Sequence, residues 1–345
     1  MKILEIHGKN GDSAIVIGEV LKNLDRYIPN RKVIVITDSN VMDHYLGDFP
    51  SCEFIEIGVG EGIKNLDTVK DIYERLVGLE ADRSCFIVGI GGGVVCDIAG
   101  FAASTYLRGV RFGFVSTTLL SQVDASVGGK NGVNFKGYKN MVGVFSQPEF
   151  VICDMNLLKT LPSREIRCGL AEIVKHAAIG DADLLTYLEG HWKEALCLDV
   201  EVMESLVYES VLIKASIVNR DEREEGERRK LNFGHTFGHA IEKTTGILHG
   251  EAVSIGMVAA LALSEKRGYL SAQERQRIEG LLMKLGLPTS IQFERGVVID
   301  ALRRDKKRDN GAIYCVVLRR IGEAFVEAIP LGELEMIVHS LGSGI

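Results

Sequence analysis

Proline is scarce in this chain, with 6 in 345 residues. Helices should therefore run with few interruptions. No CxxC pair occurs, and the seven cysteines (52, 85, 96, 153, 168, 197, 315) are odd in number and scattered. That pattern argues against a disulfide framework, which fits a reduced, cytoplasmic protein. There is no excess of basic residues: the formal net charge is -7, so no chain-wide field draws in nucleic acid. The N-terminus MKILEIHGKNGDSAIVIG has no long apolar core of a signal peptide. The longest apolar stretches are broken by Asp97, or by Ser254 and Glu265, which is too early for a membrane span.

What is present is a globular balance, 46% hydrophobic and 25% charged, with 38 glycines for tight backbone turns. Short β-branched runs at 13–18, 32–37, 52–58, 85–91 and 112–117 read as strands, and the segments between them, such as 66–80, have helical periodicity. That alternation predicts a mostly parallel sheet flanked by helices, an α/β dinucleotide-binding (Rossmann-like) domain over 1–152. Residues 153–345 read as a mainly helical metal- and substrate-binding domain. Helices are expected at 164–180, 199–220, 235–245, 250–267, 271–285 and 333–341, with a late hairpin over 312–329. The cleft between the two domains is the default site.

The run IVGIGGGVVCDIAGF (87–101) joins a strand, glycines and a helix start, which suits close approach to a phosphate at a helix N-terminus. It is not GxGxxG, because Cys96 falls at the last position; a tight structural turn is the competing reading. DASVGGK (124–130) is not a Walker loop either. Asp38, in TDSN at the end of a strand, is placed either to bind a ribose or to cap a helix.

Three of the eight histidines fall in HTFGHAIEKTTGILH. His235 and His239 share one helix face, and His249 precedes another helix. Imidazole and carboxylate suit zinc and similar ions, against the alternative of capping or buried, hydrogen-bonded histidines. Glu172 sits in an apolar helical run and needs a partner, either a cation or Lys175; an ordinary surface glutamate is the alternative. Residues 123–143 read as a polar loop offering Lys130, Lys139 and Asn140 to an anion. The charged runs at 219–235 and 303–312 read as solvated faces, with at least one arginine of the first turned inward.

Taken together, GGGVVCDIAGFAASTYLRG, STTLLSQVDASVGGKNGVN, KNMVGVFSQP, LPSREIRCGLAEIVKHA, EEGERRKLNFGHTFGHAIE, LHGEAVSIGM and DKKRDNG resemble the 3-dehydroquinate synthases, among the sugar-phosphate cyclases. The motifs keep the family order, and the resemblance covers nearly the whole chain. It implies catalytic NAD and a divalent metal, zinc or cobalt, with Glu172, His235 and His249 as metal ligands. His239 is then left to phosphate binding and proton transfer. Lys130, Asn140, Asn232 and Lys306 (or Lys307) match groups around the substrate phosphate. Lys175, Lys214 and Arg228 match groups around its hydroxyls and carboxylate, and Asp124 a polar residue near cofactor and metal. Arg108 matches an arginine that reaches a neighbouring subunit, which implies a homodimer. Asp38, Asn40, Glu61, Lys64, Gly92, Gly93, Asp97, Thr117, Thr118, Lys130, Lys139 and Thr160 match cofactor-binding positions. The implied substrate is 3-deoxy-D-arabino-heptulosonate 7-phosphate. A metal-dependent polyol dehydrogenase, a sister cyclase and a non-catalytic binding module are the competing readings.

Overall fold

The computed structural model describes residues 1–9, 11–303, 308–309 and 312–341. The chain divides into two compact units, Met1–Pro162 with Met203–Glu222, and Ser163–Val202 with Arg223–Ile345.

The first unit holds strands β1 (Lys2–Gly8), β2 (Gly11–Ile17), β3 (Val33–Asp38), β4 (Glu53–Ile57), β5 (Phe86–Gly91), β6 (Arg111–Ser116), β7 (Lys130–Phe135), β8 (Tyr138–Phe145) and β9 (Phe150–Cys153). Seven of them form one sheet in the order β1-β2-β9-β6-β5-β3-β4. All its pairings are parallel except the β1–β2 hairpin at one edge. The central strands are buried along their length, as in FIVGIG of β5, because a parallel sheet is covered on both faces. Helices α1 (Ser39–Tyr45), α2 (Leu66–Gly78) and α3 (Gly93–Thr105) connect its strands. In α2, Val69, Ile72 and Leu76 recur at helical spacing and are the buried face, and Asn65 caps the start by accepting from the Thr68 amide.

The segment expected to be a polar loop, 123–143, is not one. Ser121–Ala125 forms a single π-helical turn, and β7 and β8 pair as an antiparallel hairpin. Its ladder of backbone bonds, not an apolar face, makes it a strand pair: most of β8 is exposed.

In the second unit, α4 (Ser163–Gly180), α5 (Ala182–Gly190) and α6 (Trp192–Leu196) lead to α7 (Val200–Arg220), whose residues from Met203 onward belong to the first unit. Helices α8 (His235–Thr245), α9 (His249–Lys266), α10 (Ala272–Lys284), α11 (Arg295–Arg303) and α12 (Leu331–Leu341) follow. They accompany the antiparallel strands β10 (Arg308–Asp309), β11 (Ala312–Arg320) and β12 (Glu323–Pro330). One apolar core joins Phe237, Ile241, Ile255, Leu263, Leu302 and Val317 across α8, α9, α11 and β11. Each such buried side chain stabilises the fold by roughly 1.5–3 kcal/mol, so the helix starts that carry the histidines are held firmly. Among the described residues no helix is long and apolar enough to cross a membrane.

Candidate functional site

Two glycines of α9 set how closely three helices of the second unit approach. A Cβ on Gly250 would fall 2.3 Å from the Cys168 Cα in α4. A Cβ on Gly256 would fall 2.0 Å from the Gly234 carbonyl oxygen, just before α8. With no side chain at either point, the backbones of α4, α8 and α9 meet directly. Glu172 on α4 and the first residues of α8 and α9, His235 and His249, are thereby gathered.

Their ligand atoms lie within 4.8 Å of one another. Glu172 Oε1 is 3.8 Å from His235 Nε2 and 3.5 Å from His249 Nε2. The other ring nitrogens are occupied. His235 Nδ1 is 3.1 Å from the Phe233 carbonyl, which can only accept, so Nδ1 carries the proton and Nε2 offers its lone pair. His249 Nδ1 is 3.3 Å from Glu242 Oε2. Glu172 is fully buried, and its Oε2 pairs with the Lys175 ammonium one helical turn on. A buried carboxylate facing two oriented imidazole nitrogens is the donor set that a zinc-like divalent cation takes, and it fits such an ion.

Electrostatics separate the two imidazoles. Burial holds His235 well below the usual histidine range, and the Lys175 ammonium adds to this. Burial also works against charge on His249, but the carboxylates of Glu172 and Glu242 outweigh it and push the group up to about 9. His239 is exposed and lies on the same face of α8, its ring centroid 5.0 Å from that of His235. With Glu242 and His249 it forms a second possible donor trio. Glu242 is the residue that sequence reasoning missed; its signal is spacing, since 235, 239 and 242 share a helix face.

In the first unit, β5 runs through Gly91 and Gly92 into α3, and no side chain caps the first-turn amides. Those free N–H groups at the start of a long helix suit a pyrophosphate. The glycines also answer to packing: a Cβ on Gly92 would meet Thr118 at 2.9 Å, and one on Gly93 would meet Ala125 at 2.8 Å. Thr117 joins this loop through its amide, which donates to the Gly91 carbonyl at 3.0 Å. Asp97 pairs with the buried Lys64 ammonium; burial pushes the Asp97 carboxyl up to about 6, with Lys64 pulling the other way. Asp38 caps α1 by accepting from the Val41 amide, and Asn40 is exposed in that helix. Thr160 meets the Tyr45 hydroxyl at 2.8 Å. Asn134 bridges Glu61 Oε1, at 2.8 Å, and the Asn140 amide, also at 2.8 Å.

The candidate anion-binding groups differ in setting. Lys130, Lys139 and Asn140 are exposed on the β7–β8 hairpin. Lys214 on α7 is buried, donating to the Asp124 carbonyl at 2.5 Å and to its carboxylate at 2.6 Å. Lys175 and Arg228 are buried in the second unit, and Asn232 donates to Glu224 Oε1. Arg228 is thus an inward-facing arginine of the charged run. Arg108 is exposed, with a backbone φ of 69° next to Leu107 at 50°. Lys306 and Lys307 lie outside the described residues.

Comparison with known proteins adds three findings. Residues 54–168 match the model for the 3-dehydroquinate synthase N-terminal domain, and residues 169–308 match that for its C-terminal domain. A 3-dehydroquinate synthase of Psychrobacter cryohalolentis is 41% identical over 340 residues, spanning 93% of this chain and 92% of the relative. Among solved structures, a 2-deoxy-scyllo-inosose synthase complexed with carbaglucose-6-phosphate, NAD+ and Co2+ superimposes with a TM-score of 0.90 at 26% identity, over 98% of this chain and 100% of the other. A 2-epi-5-epi-valiolone synthase from Streptomyces hygroscopicus with NAD+ and Zn2+ bound gives 0.88 at 29% identity, over 99% of both chains.

Proposed function

The chain belongs to the 3-dehydroquinate synthase family, and from that premise we propose that it converts 3-deoxy-D-arabino-heptulosonate 7-phosphate to 3-dehydroquinate and phosphate, using NAD and a divalent cation, zinc or cobalt. The observation that carries the reading is the meeting of Glu172, His235 and His249 in a chain that matches this family along most of its length. When bound, the cation lowers the cost of ionising substrate hydroxyls and NAD supplies reversible oxidation, so the overall reaction shows no net redox change.

This chain's residues would hold and orient. Glu172, His235 and His249 would hold the cation, and the unshielded amides at the start of α3, with Asp38, Asn40, Glu61, Lys64, Gly92, Gly93, Asp97, Thr117, Thr118, Lys139 and Thr160, the dinucleotide. Lys130, Asn140, Asn232 and Lys306 would bind the phosphate, and Lys175, Lys214 and Arg228 the hydroxyls and carboxylate. Charge-assisted bonds of this kind fix the substrate in one pose, which lowers the entropic part of the barrier. Asp124 would steer the Lys214 ammonium, to which its side chain and carbonyl both bond. His239, exposed on α8, would serve proton transfer near the phosphate. The active form would be a cytoplasmic homodimer in which Arg108 reaches the other subunit.

The test is purified protein with the heptulosonate phosphate, NAD and zinc, following phosphate and cyclic product together. Equal release of both without accumulating NADH supports the proposal. Net NADH formation on a polyol, or turnover only of substrates lacking a carboxylate, refutes it.

A further inference from the structure

The two imidazoles beside Glu172 are oriented by different means. His235 Nδ1 faces a backbone carbonyl, Phe233 O, which the fold itself places. His249 Nδ1 faces a side chain, Glu242 Oε2, at 3.3 Å. Glu242 is in the penultimate turn of α8 and His249 opens α9, so this contact spans the connection between the two helices. The Glu242 side chain is only 9% exposed, and that of His249 is 28% exposed, the most open of the three histidine and glutamate side chains gathered at this point. A carboxylate is kept so far from water only where a partner compensates its desolvation. Without Glu242 the His249 ring would be held by one side alone.

We propose that Glu242 is a positioning residue for the cation site: its carboxylate accepts from His249 Nδ1–H, fixes the ring so that Nε2 faces Glu172, and raises the donor strength of that nitrogen. This rests on the assignment of Glu172, His235 and His249 as cation ligands. The second donor trio, His239, Glu242 and His249, would instead make Glu242 a ligand. The buried trio is favoured because Glu172 and His235 sit on packed helix backbone, whereas His239 is exposed.

The experiment measures cobalt affinity by chelator competition, and the cobalt absorption spectrum, for the wild type, Glu242→Ala, Glu242→Gln, Glu172→Ala, His235→Ala and His239→Ala. Unfolding of each metal-free protein is recorded alongside. Glu242→Ala should weaken cobalt about 10–100-fold, the usual effect of losing the carboxylate behind a ligating histidine. Glu242→Gln keeps an accepting oxygen and should recover part of that affinity with the wild-type cobalt spectrum. His239→Ala should bind as the wild type does. The proposal falls if both Glu242 variants bind cobalt normally, or if the loss in Glu242→Gln is matched by an equal loss of metal-free stability. It also falls if Glu242→Gln changes the cobalt spectrum in the way a lost ligand does while Glu172→Ala has no effect. Normal binding in Glu172→Ala and His235→Ala overturns the parent assignment as well, whereas loss in those two with normal binding in the Glu242 variants overturns this proposal alone.

Discussion

Replacing Gly256 with alanine adds one methyl group where the backbones of α8 and α9 meet. Its Cβ would lie 2.0 Å from the Gly234 carbonyl oxygen and 2.7 Å from the Gly238 amide nitrogen, both fixed backbone atoms. Ordinary contact requires well over 3 Å, so α8 and α9 must part by about 1 Å or more. Overpacking of this kind costs about 1–3 kcal/mol, and more where no side chain can yield. His235 follows Gly234 directly and His249 opens α9, so the same shift separates two candidate ligands whose Nε2 atoms stand 3.8 and 3.5 Å from one carboxylate oxygen. Coordination tolerates roughly ±0.2 Å, so cation affinity should fall at least about tenfold. Gly280 supplies the control. It lies inside α10 with nothing within 4 Å of its missing Cβ, and alanine there should stabilise the helix by about 0.5–1 kcal/mol. Denaturant unfolding and chelator competition on both variants give the readout. If Gly256→Ala unfolds like the wild type and binds zinc with unchanged affinity, the claim that helix contact assembles the site is wrong.

Four further outcomes are expected. Lys130→Ala and Asn140→Ala should each slow phosphate release or weaken substrate binding about tenfold or more in steady-state kinetics; unchanged rate and affinity would remove both from the phosphate site. Adding zinc to metal-stripped protein should raise its unfolding free energy by about 2.7 kcal/mol once zinc stands 100-fold above its dissociation constant, and the Glu172→Ala variant should not respond. The folded Asp97 carboxyl, at about 6, binds its proton more tightly than it does in the unfolded chain, so its contribution is fully present below pH 4 and is lost as pH rises to about 6. The unfolding free energy of the wild type relative to Asp97→Asn should therefore fall by about 2–3 kcal/mol across that window; a flat difference contradicts the burial argument. Arg277→Ala, which breaks a bidentate pair with Glu189 on the second unit, should cost no more than about 1 kcal/mol and leave turnover unchanged, because the pair is part-exposed.

The central strands β3 and β5 were legible because a parallel sheet buries both faces and so demands β-branched runs. The edge strand β1 was not: its residues are mostly exposed, and KILEIHG carries too little apolar pattern to mark it. The β7–β8 hairpin reads as a loop in sequence for the same reason: its Gly, Asn and Lys residues are held by cross-strand backbone bonds that leave no trace in hydropathy. Spacing places His235 and His239 on one face of α8 without choosing between them; in the fold it is His235 whose Nε2 comes within 3.8 Å of Glu172. Spacing puts Glu242 on the face of α8 that carries His235 and His239, but not its partner: His249 lies across a turn whose geometry only the folded helices define. The Asp38 carboxylate, open between a ribose and a cap, does cap α1 in the fold, through the Val41 amide.

The most direct test is anomalous diffraction at the cobalt edge from crystals grown with that metal. A cobalt peak within bonding distance of Glu172, His235 Nε2 and His249 Nε2 is the predicted result. A peak held by His239 and Glu242 with Glu172 out of reach, or one elsewhere in the chain, would contradict the account.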